Sequence, residues 1–231
     1  MTRSCEPLVS AIMPTFNRRR FVPLAVDCFL NQTYRRKELL VLDDGESVED
    51  LIPHGASIRY LRSTKKRSHG RKANLGCRLA RGEIVCHWDD DDWSAPTRIE
   101  EQVRGLVESR SSVTGYHSLF CFDERTGRAF EYRGPKGYAC GSSLCYVKRY
   151  WQDHRFLPLQ VGSDNIFAAG AASEGQLWAT ADGTQMVFRM HADNTSPKIL
   201  SPDHYREVAL ACLPEGFAGS LRTRPRSGSQ P

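Results

Sequence analysis

Gly82-Glu-Ile-Val-Cys-His-Trp-Asp-Asp-Asp-Asp-Trp93 runs from an apolar segment straight into four adjacent carboxylates, Asp89 to Asp92. The segment Ile84 to Trp88 is short and contains β-branched residues, which predicts a buried strand. Ser94 and Pro96 then predict the start of a helix, with proline at an early position where its missing N–H costs nothing. The four acids therefore sit on the turn that leaves the carboxyl end of a strand, the edge where open α/β sheets bind ligands. Four carboxylates in a row repel one another, and a hard divalent cation such as Mn²⁺ or Mg²⁺ relieves that repulsion with oxygen ligands. In an extended segment Asp89 and Asp91 project to one side and Asp90 to the other. The alternative is a solvated acidic turn; the flanking Trp88 and Trp93 argue against it.

Outward from this stretch the first half alternates regularly. Leu8 to Met13 is a strand candidate that ends at Pro14. A helix from about Arg20 to Asn31 carries Phe21, Ala25, Cys28 and Phe29 on one face. Glu38 to Leu42 is a second strand, ending in Asp43-Asp44-Gly45, and Ile58 to Leu61 a third. A basic loop, Lys65 to Lys72, leads into a helix that reaches Ala80. The helix after Pro96 carries Ile99, Val103 and Leu106 on one side. This order predicts an α/β fold, a Rossmann-like, mostly parallel central sheet flanked by helices. The second half is less regular. Strands are expected at 117–122, 139–147 and 186–190, and helices at 162–174, with Ser163 as cap, and at 203–212. From Pro214 to Pro231 the chain is rich in Gly, Ser, Pro and Arg and reads as a disordered tail.

With 231 residues, 40% of them hydrophobic, one domain with a sizeable core is expected. No window approaches the length of a membrane span, and Met1 to Pro7 lacks the apolar core of a signal peptide, so a soluble cytoplasmic protein is expected. The eight cysteines form no C-x-x-C pair and read as reduced core thiols. A net charge of +5 suits an anionic ligand without demanding nucleic acid. The basic loop contains no aromatic residue on which a base would stack, so a solvated loop edging a ligand site is the better reading. Trp151 and Trp178 are candidates for stacking on a sugar, against the commoner fate of core packing.

In its motifs the chain resembles the family 2 glycosyltransferases of GT-A fold. Val-Ser-Ala-Ile-Met-Pro-Thr-Phe-Asn at 9–17, Asn-Gln-Thr-Tyr at 31–34, Leu-Leu-Val-Leu-Asp-Asp-Gly at 39–45, Ala-Asn-Leu-Gly at 73–76 and Ala-Arg-Gly-Glu-Ile at 80–84 match in the expected order. Asp89 to Asp92 matches the family's D-x-D motif and Gly162-Ser-Asp-Asn165 its later acidic motif. The resemblance implies a single GT-A domain over 1–213. Its nucleotide-binding half would span 1–110, and an acceptor-binding half with a smaller mixed sheet would span 111–213. It implies an enzyme, a metal-dependent inverting glycosyltransferase that moves a sugar from a nucleotide-diphosphate donor, UDP being the expected nucleotide, to a hydroxyl acceptor.

The resemblance also implies roles. Pro14, Thr15 and Phe16 would wall the nucleotide base, Asp44 would accept a hydrogen bond from it, and Asp43 would be structural. Asp89 and Asp90 would line the ribose and metal side, Asp91 would bind Mn²⁺ or Mg²⁺, and Asp164 would be the catalytic base. Arg71 and Lys72 are candidates for contacting the donor, since Ala73 stands where many relatives carry arginine. His191 is a candidate metal ligand, with a hydrogen-bonded structural histidine as its alternative. Without the resemblance, Asp164 would read as a carboxylate stabilised by a helix start. The partners expected are a nucleotide-sugar donor and a glycan, lipid-linked or small-molecule acceptor, with no nucleic acid and with room for peripheral membrane contact. Two other functions fit less well. One is a GT-A-like nucleotidyltransferase, which would carry glycines after its first strand. The other is a non-catalytic nucleotide-sugar-binding module.

Overall fold

The computed structural model describes residues 6–55, 57–196 and 200–222. In chain order its strands are β1 (Val9–Thr15), β2 (Lys37–Asp43), β3 (Ile58–Arg62), β4 (Ile84–His87), β5 (Trp93–Ser94), β6 (Val113–Tyr116), β7 (Ser118–Asp123), β8 (Arg128–Arg133), β9 (Cys145–Val147), β10 (Leu177–Thr180), β11 (Met186–Met190) and β12 (Tyr205–Val208). The helices are α1 (Val22–Leu30), α2 (His69–Leu79), α3 (Arg98–Ser109), α4 (Lys148–Asp153), α5 (Ser163–Ser173) and α6 (Glu215–Arg222).

A seven-stranded sheet in the order β10-β6-β9-β4-β1-β2-β3 forms the centre, with only β9 antiparallel to its neighbours. Its inner strands β1, β2 and β4 read as largely apolar runs because both faces are covered. Val9, Ala11, Met13, Leu39 and Val41 face α1 and α3, while Ile12, Leu40, Leu42 and Val85 face α2, α4 and α5. Alternation along each strand thus fills two separate cores from one sequence segment. A five-stranded mixed sheet, β12-β8-β7-β11-β5, stands beside it. The mostly parallel sheet and the second mixed sheet agree with the expected fold class.

Several element expectations are corrected. Ser94 does not begin a helix: Trp93 and Ser94 form a short strand against Val187 and Met186, and α3 starts at Arg98. The residue at the cap of α5 is Gly162, at a left-handed φ of 84°; Ser163 is the first helical residue and its buried hydroxyl has no partner. The helix expected over 203–212 is an edge strand, Tyr205–Val208, followed by a 3₁₀ turn, because Tyr205 to Val208 pair antiparallel with Tyr132 to Ala129. Within 139–147 only Cys145–Val147 is strand, after a 3₁₀ turn at Gly141–Ser143. The disordered tail is overturned for Glu215–Arg222, a helix whose Phe217 is fully buried against Trp93 and Phe122; residues 223–231 lie outside those described. Cys28, Cys77, Cys86, Cys121 and Cys145 are buried thiols, Cys140 is half-buried and Cys212 exposed; Cys5 lies outside the described residues.

Candidate active site

The acid cluster takes its shape from the junction of the two sheets. β4 delivers Trp88, whose indole N–H is fixed by the Ala25 carbonyl at 2.9 Å. The chain then bends at Asp90 and Asp91 before β5 pairs with β11. That pairing sets the Arg189 amide on Asp92 Oδ1 at 3.1 Å. It also carries the end of β11 to the acids, so that His191 Nε2 lies 3.0 Å from Asp91 Oδ2. Asn194 reaches the same Asp91 oxygen and the Arg189 carbonyl. Arg18 enters from the other side. Asn17 adopts a left-handed φ of 56° at the end of β1, and its side chain accepts the Glu46 amide. The turn directs Arg18 Nη1 onto Asp90 Oδ1 at 2.9 Å and Asp91 Oδ2 at 2.8 Å. Because of the bend, Asp90 and Asp91 share one cation, where a straight strand would have separated them.

Burial and the neighbouring Asp91 charge push Asp89 and Asp90 up to about 6. Burial also raises Asp92 well above the carboxylate range. Asp91 is held below its ordinary value: burial opposes its charge, but the His191 hydrogen bond and Arg18 outweigh it. Burial works against the Arg18 charge too, and Asp90 and Asp91 more than offset that. Carboxylate oxygens of Asp89, Asp91 and Asp92 lie within 4.8 Å of one another, and Asp92 Oδ2 is buried without a hydrogen-bond partner. All three donors are hard oxygens under mutual repulsion, so the residues present fit Mg²⁺ or Mn²⁺. His191 meets this group through Asp91.

Asp89, Asp90 and Asp91 line a cavity of about 720 Å³. Asp164, in the first turn of α5, lies on its wall. Gly141 makes room for that carboxylate: a Cβ there would stand 1.5 Å from Asp164 Oδ2. The Gly141 carbonyl in turn receives His87 Nδ1 at 2.9 Å, which fixes the Nδ1–H tautomer because a carbonyl only accepts. His87 Nε2 faces the Tyr146 hydroxyl at 3.3 Å. Burial lowers His87 to about 4, so its imidazole is neutral. Tyr132, Tyr138, Phe188 and Tyr205 line the side of the cavity that belongs to the second sheet.

Pro14, Thr15 and Phe16 line the cavity, together with Lys66, Arg67, His69 and Lys72. Lys66 Nζ sits 3.8 Å from the centre of the Phe16 ring. Asp44 is not on the wall. Its Oδ1 accepts Lys72 Nζ at 2.8 Å and its Oδ2 the Arg67 amide at 2.7 Å, so it positions two residues that are on the wall. Of the two expected donor contacts, Lys72 lines the cavity, whereas Arg71 is exposed outside it. Asp43 accepts from the Gly45 amide and the Tyr60 hydroxyl, a structural arrangement. Trp151 is buried and bonded to Asn74, and neither it nor Trp178 lines the cavity. Sequence reasoning missed Arg18, Asn194 and the aromatics beside the second sheet. Arg18 carries no pattern apart from its place just after the Pro-Thr-Phe-Asn segment. Asn194 depends on its contact with Asp91, 103 positions away, and the aromatics on the strand pairings of the second sheet.

The fold and these motifs have known counterparts. An uncharacterized glycosyltransferase of Haemophilus influenzae is 26% identical over 121 residues, which are 50% of this chain and 48% of that protein. The chain thus spans about half the length of this curated relative. Among solved structures, S. aureus TarS 1–349 in complex with UDP-GlcNAc superposes with a TM-score of 0.66 at 16% identity, covering 84% of this chain and 62% of that one. The mannosyltransferase PcManGT from Pyrobaculum calidifontis, in complex with GDP-Man and Mn²⁺, gives 0.63 at 15% identity, covering 83% and 59%. At these identities the structural likenesses bear on the fold, which is GT-A. Residues 10–157 match the model of glycosyl transferase family 2, from β1 through the acid cluster to the loop after α4, and the chain belongs to that family.

Proposed function

We propose that the chain is a metal-dependent, inverting glycosyltransferase that moves a sugar from a nucleotide-diphosphate donor, UDP being the preferred nucleotide, to a hydroxyl acceptor. One observation carries the reading. A single cavity is lined by carboxylates of a cation-ready acid cluster, by basic and aromatic residues of the first half, and by Asp164 of the second half. The UDP-GlcNAc complex of TarS and the GDP-Man and Mn²⁺ complex of PcManGT support a nucleotide-sugar donor and a divalent cation.

In this reading Asp89, Asp91 and Asp92 would hold the cation, with His191 orienting Asp91. A bound divalent cation supplies charge stabilisation for the departing diphosphate. Phe16 and Lys66 flank the nucleotide base, and Lys72, held by Asp44, offers its ammonium to the donor. Asp164 takes the proton from the acceptor hydroxyl. The acceptor oxygen then attacks the anomeric carbon as the diphosphate leaves, and one such displacement inverts the configuration. Tyr132, Tyr138 and Tyr205 face the acceptor.

Calorimetric titration with UDP, with and without Mn²⁺, tests the donor half of the proposal. Binding that requires the metal and is lost in Asp91→Ala is expected; metal-independent binding in both proteins would remove the cluster from the donor site. Asp164→Asn tests the other half. Turnover of a UDP-sugar should drop by about 10²- to 10⁴-fold while UDP affinity is unchanged. Unimpaired turnover would exclude Asp164 as the base.

A further inference from the structure

Eight large apolar side chains are well exposed among the described residues. Four of them, Leu30, Val107, Leu200 and Leu210, are spread along the chain, as isolated surface hydrophobes commonly are. The other four are Leu157, Leu159, Val161 and Ile166, 41 to 54% exposed, and they fall within ten residues. The backbone that carries them is pinned. Phe156 is buried, and its amide and carbonyl are both bonded to the Asn74 side chain. The Pro158 carbonyl accepts the Ser68 hydroxyl and the Leu159 carbonyl accepts the Gly70 amide, each at 3.0 Å. The segment is therefore tied to the N-terminal end of α2 while its apolar side chains stay in solvent.

The same bonds set the segment beside the basic loop. Lys65, Lys66 and Arg71 are exposed there, and Arg155 is exposed at the start of the apolar segment. Residues 64–72 contain no acidic residue, and Asp164, which lines the cavity, is the one acid within 154–166. Lys66, Val161 and Asp164 line the same cavity, so apolar and cationic groups together form its mouth.

The geometry points to this rim as a docking surface for an anionic phospholipid bilayer. Leucine, valine and isoleucine side chains enter the interfacial region, and the flanking lysines and arginines meet the headgroups. A second copy of the chain fits worse, since face-to-face pairing would oppose two cationic rims. Nucleic acid would leave the apolar side chains without a use. Among the described residues no helix is long and apolar enough to cross a membrane, so contact through this surface would be peripheral. The surface stands independently of the reaction. Its consequence, that Asp164 opens toward an acceptor held at the bilayer, rests on the proposed function.

Co-sedimentation of the purified chain with vesicles tests the surface without any donor or acceptor. Vesicles of equal parts phosphatidylcholine and phosphatidylglycerol should carry the protein down at low salt, and phosphatidylcholine vesicles should not. The double variant Leu157→Ser/Leu159→Ser and the charge variant Lys65→Glu/Arg155→Glu should each lower the partition coefficient by about tenfold or more. Unchanged near-ultraviolet circular dichroism would show that the variants are folded. No pelleting of the wild type with either vesicle would overturn the proposal, as would variants that pellet like the wild type. A lipid-free dimer in sedimentation velocity that dissociates in the leucine variant would also overturn it, in favour of a second copy.

Discussion

Asp164 and the carboxylates of the cluster owe their positions to residues to which the proposed reaction assigns no chemistry. Gly141 is the clearest case. Alanine there would place a Cβ 1.5 Å from Asp164 Oδ2, so the carboxylate must move. In the proposed reaction, Gly141→Ala should reduce turnover about as much as Asp164→Asn does while Mn²⁺-dependent UDP binding persists, because the atoms nearest the added Cβ all belong to Asp164; steady-state rates with parallel calorimetry check this. Arg18 makes a second case. Its guanidinium and a divalent cation both seek Asp91, and Arg18 is largely buried beside Asp90. Removing one partner of a buried pair leaves uncompensated charge, and partial solvent access at Arg18 reduces the cost to about 2 kcal/mol at neutral pH. Arg18→Ala should therefore melt earlier than the wild type, and Mn²⁺ should raise its melting temperature more than it raises that of the wild type. Equal metal shifts in the two proteins would show that cation and guanidinium do not compete. At this scale the sequence reveals Asp89 to Asp92, since four adjacent acids after a buried strand are conspicuous. It does not reveal Arg18: three consecutive arginines look alike until the left-handed turn at Asn17 selects one of them.

Strands β1, β2 and β4 were legible because burial on both faces leaves continuous apolar runs that no surface helix would show. The second sheet was not. In β12, Arg206 and Glu207 are both exposed between half-buried Tyr205 and Val208, so the strand shows no alternation, and its pairing among the described residues is with β8; local pattern alone could not separate that edge strand from a helix. β5 is two residues long and exists only because β11 is opposite it. The end of β4 and the bend that follows it also bring together two opposing titrations. His87 falls to about 4 from an ordinary value near 6.5, so between those values the unfolded chain binds the proton first and stability is lost as pH falls. Asp90 rises to about 6 from 3.8, so over that interval the native state binds the proton first and stability is gained as pH falls. Relative to the wild type, His87→Gln should show a melting temperature that declines less, or rises, on acidification from pH 6.5 to 4. Asp90→Asn should show a steeper decline over the same interval. Calorimetric scans in metal-free buffer decide it; identical slopes in all three proteins would mean that neither group titrates in this range.

Taken whole, the molecule is two sheets whose junction is the site, and α6 lies at that junction. Composition alone suggested that the chain beyond Pro214 had nothing to bury, because glycine, serine and arginine dominate it. One residue decides otherwise for its first part. Phe217 is fully buried, with its ring 5.5 Å from Phe122 of the second sheet and 6.2 Å from Trp93, the residue after the acid cluster. α6 thus packs behind β5, and β5 holds β11 in the register that brings His191 to Asp91. Phe217→Ala should cost about 3–5 kcal/mol of stability, the usual range for emptying a phenylalanine site in a core. The effect should not stop at stability. A cavity behind Trp93 loosens β5, so the variant should also bind UDP and Mn²⁺ more weakly at temperatures well below its melting point. A distant core substitution, Leu40→Ala on the opposite face of the central sheet, should cost a comparable amount of stability and leave that affinity unchanged. Chemical denaturation paired with calorimetric titration of both variants separates the two effects. Equal affinity loss in both would reduce α6 to ordinary packing, whereas loss confined to Phe217→Ala would make this helix part of the framework that holds the site.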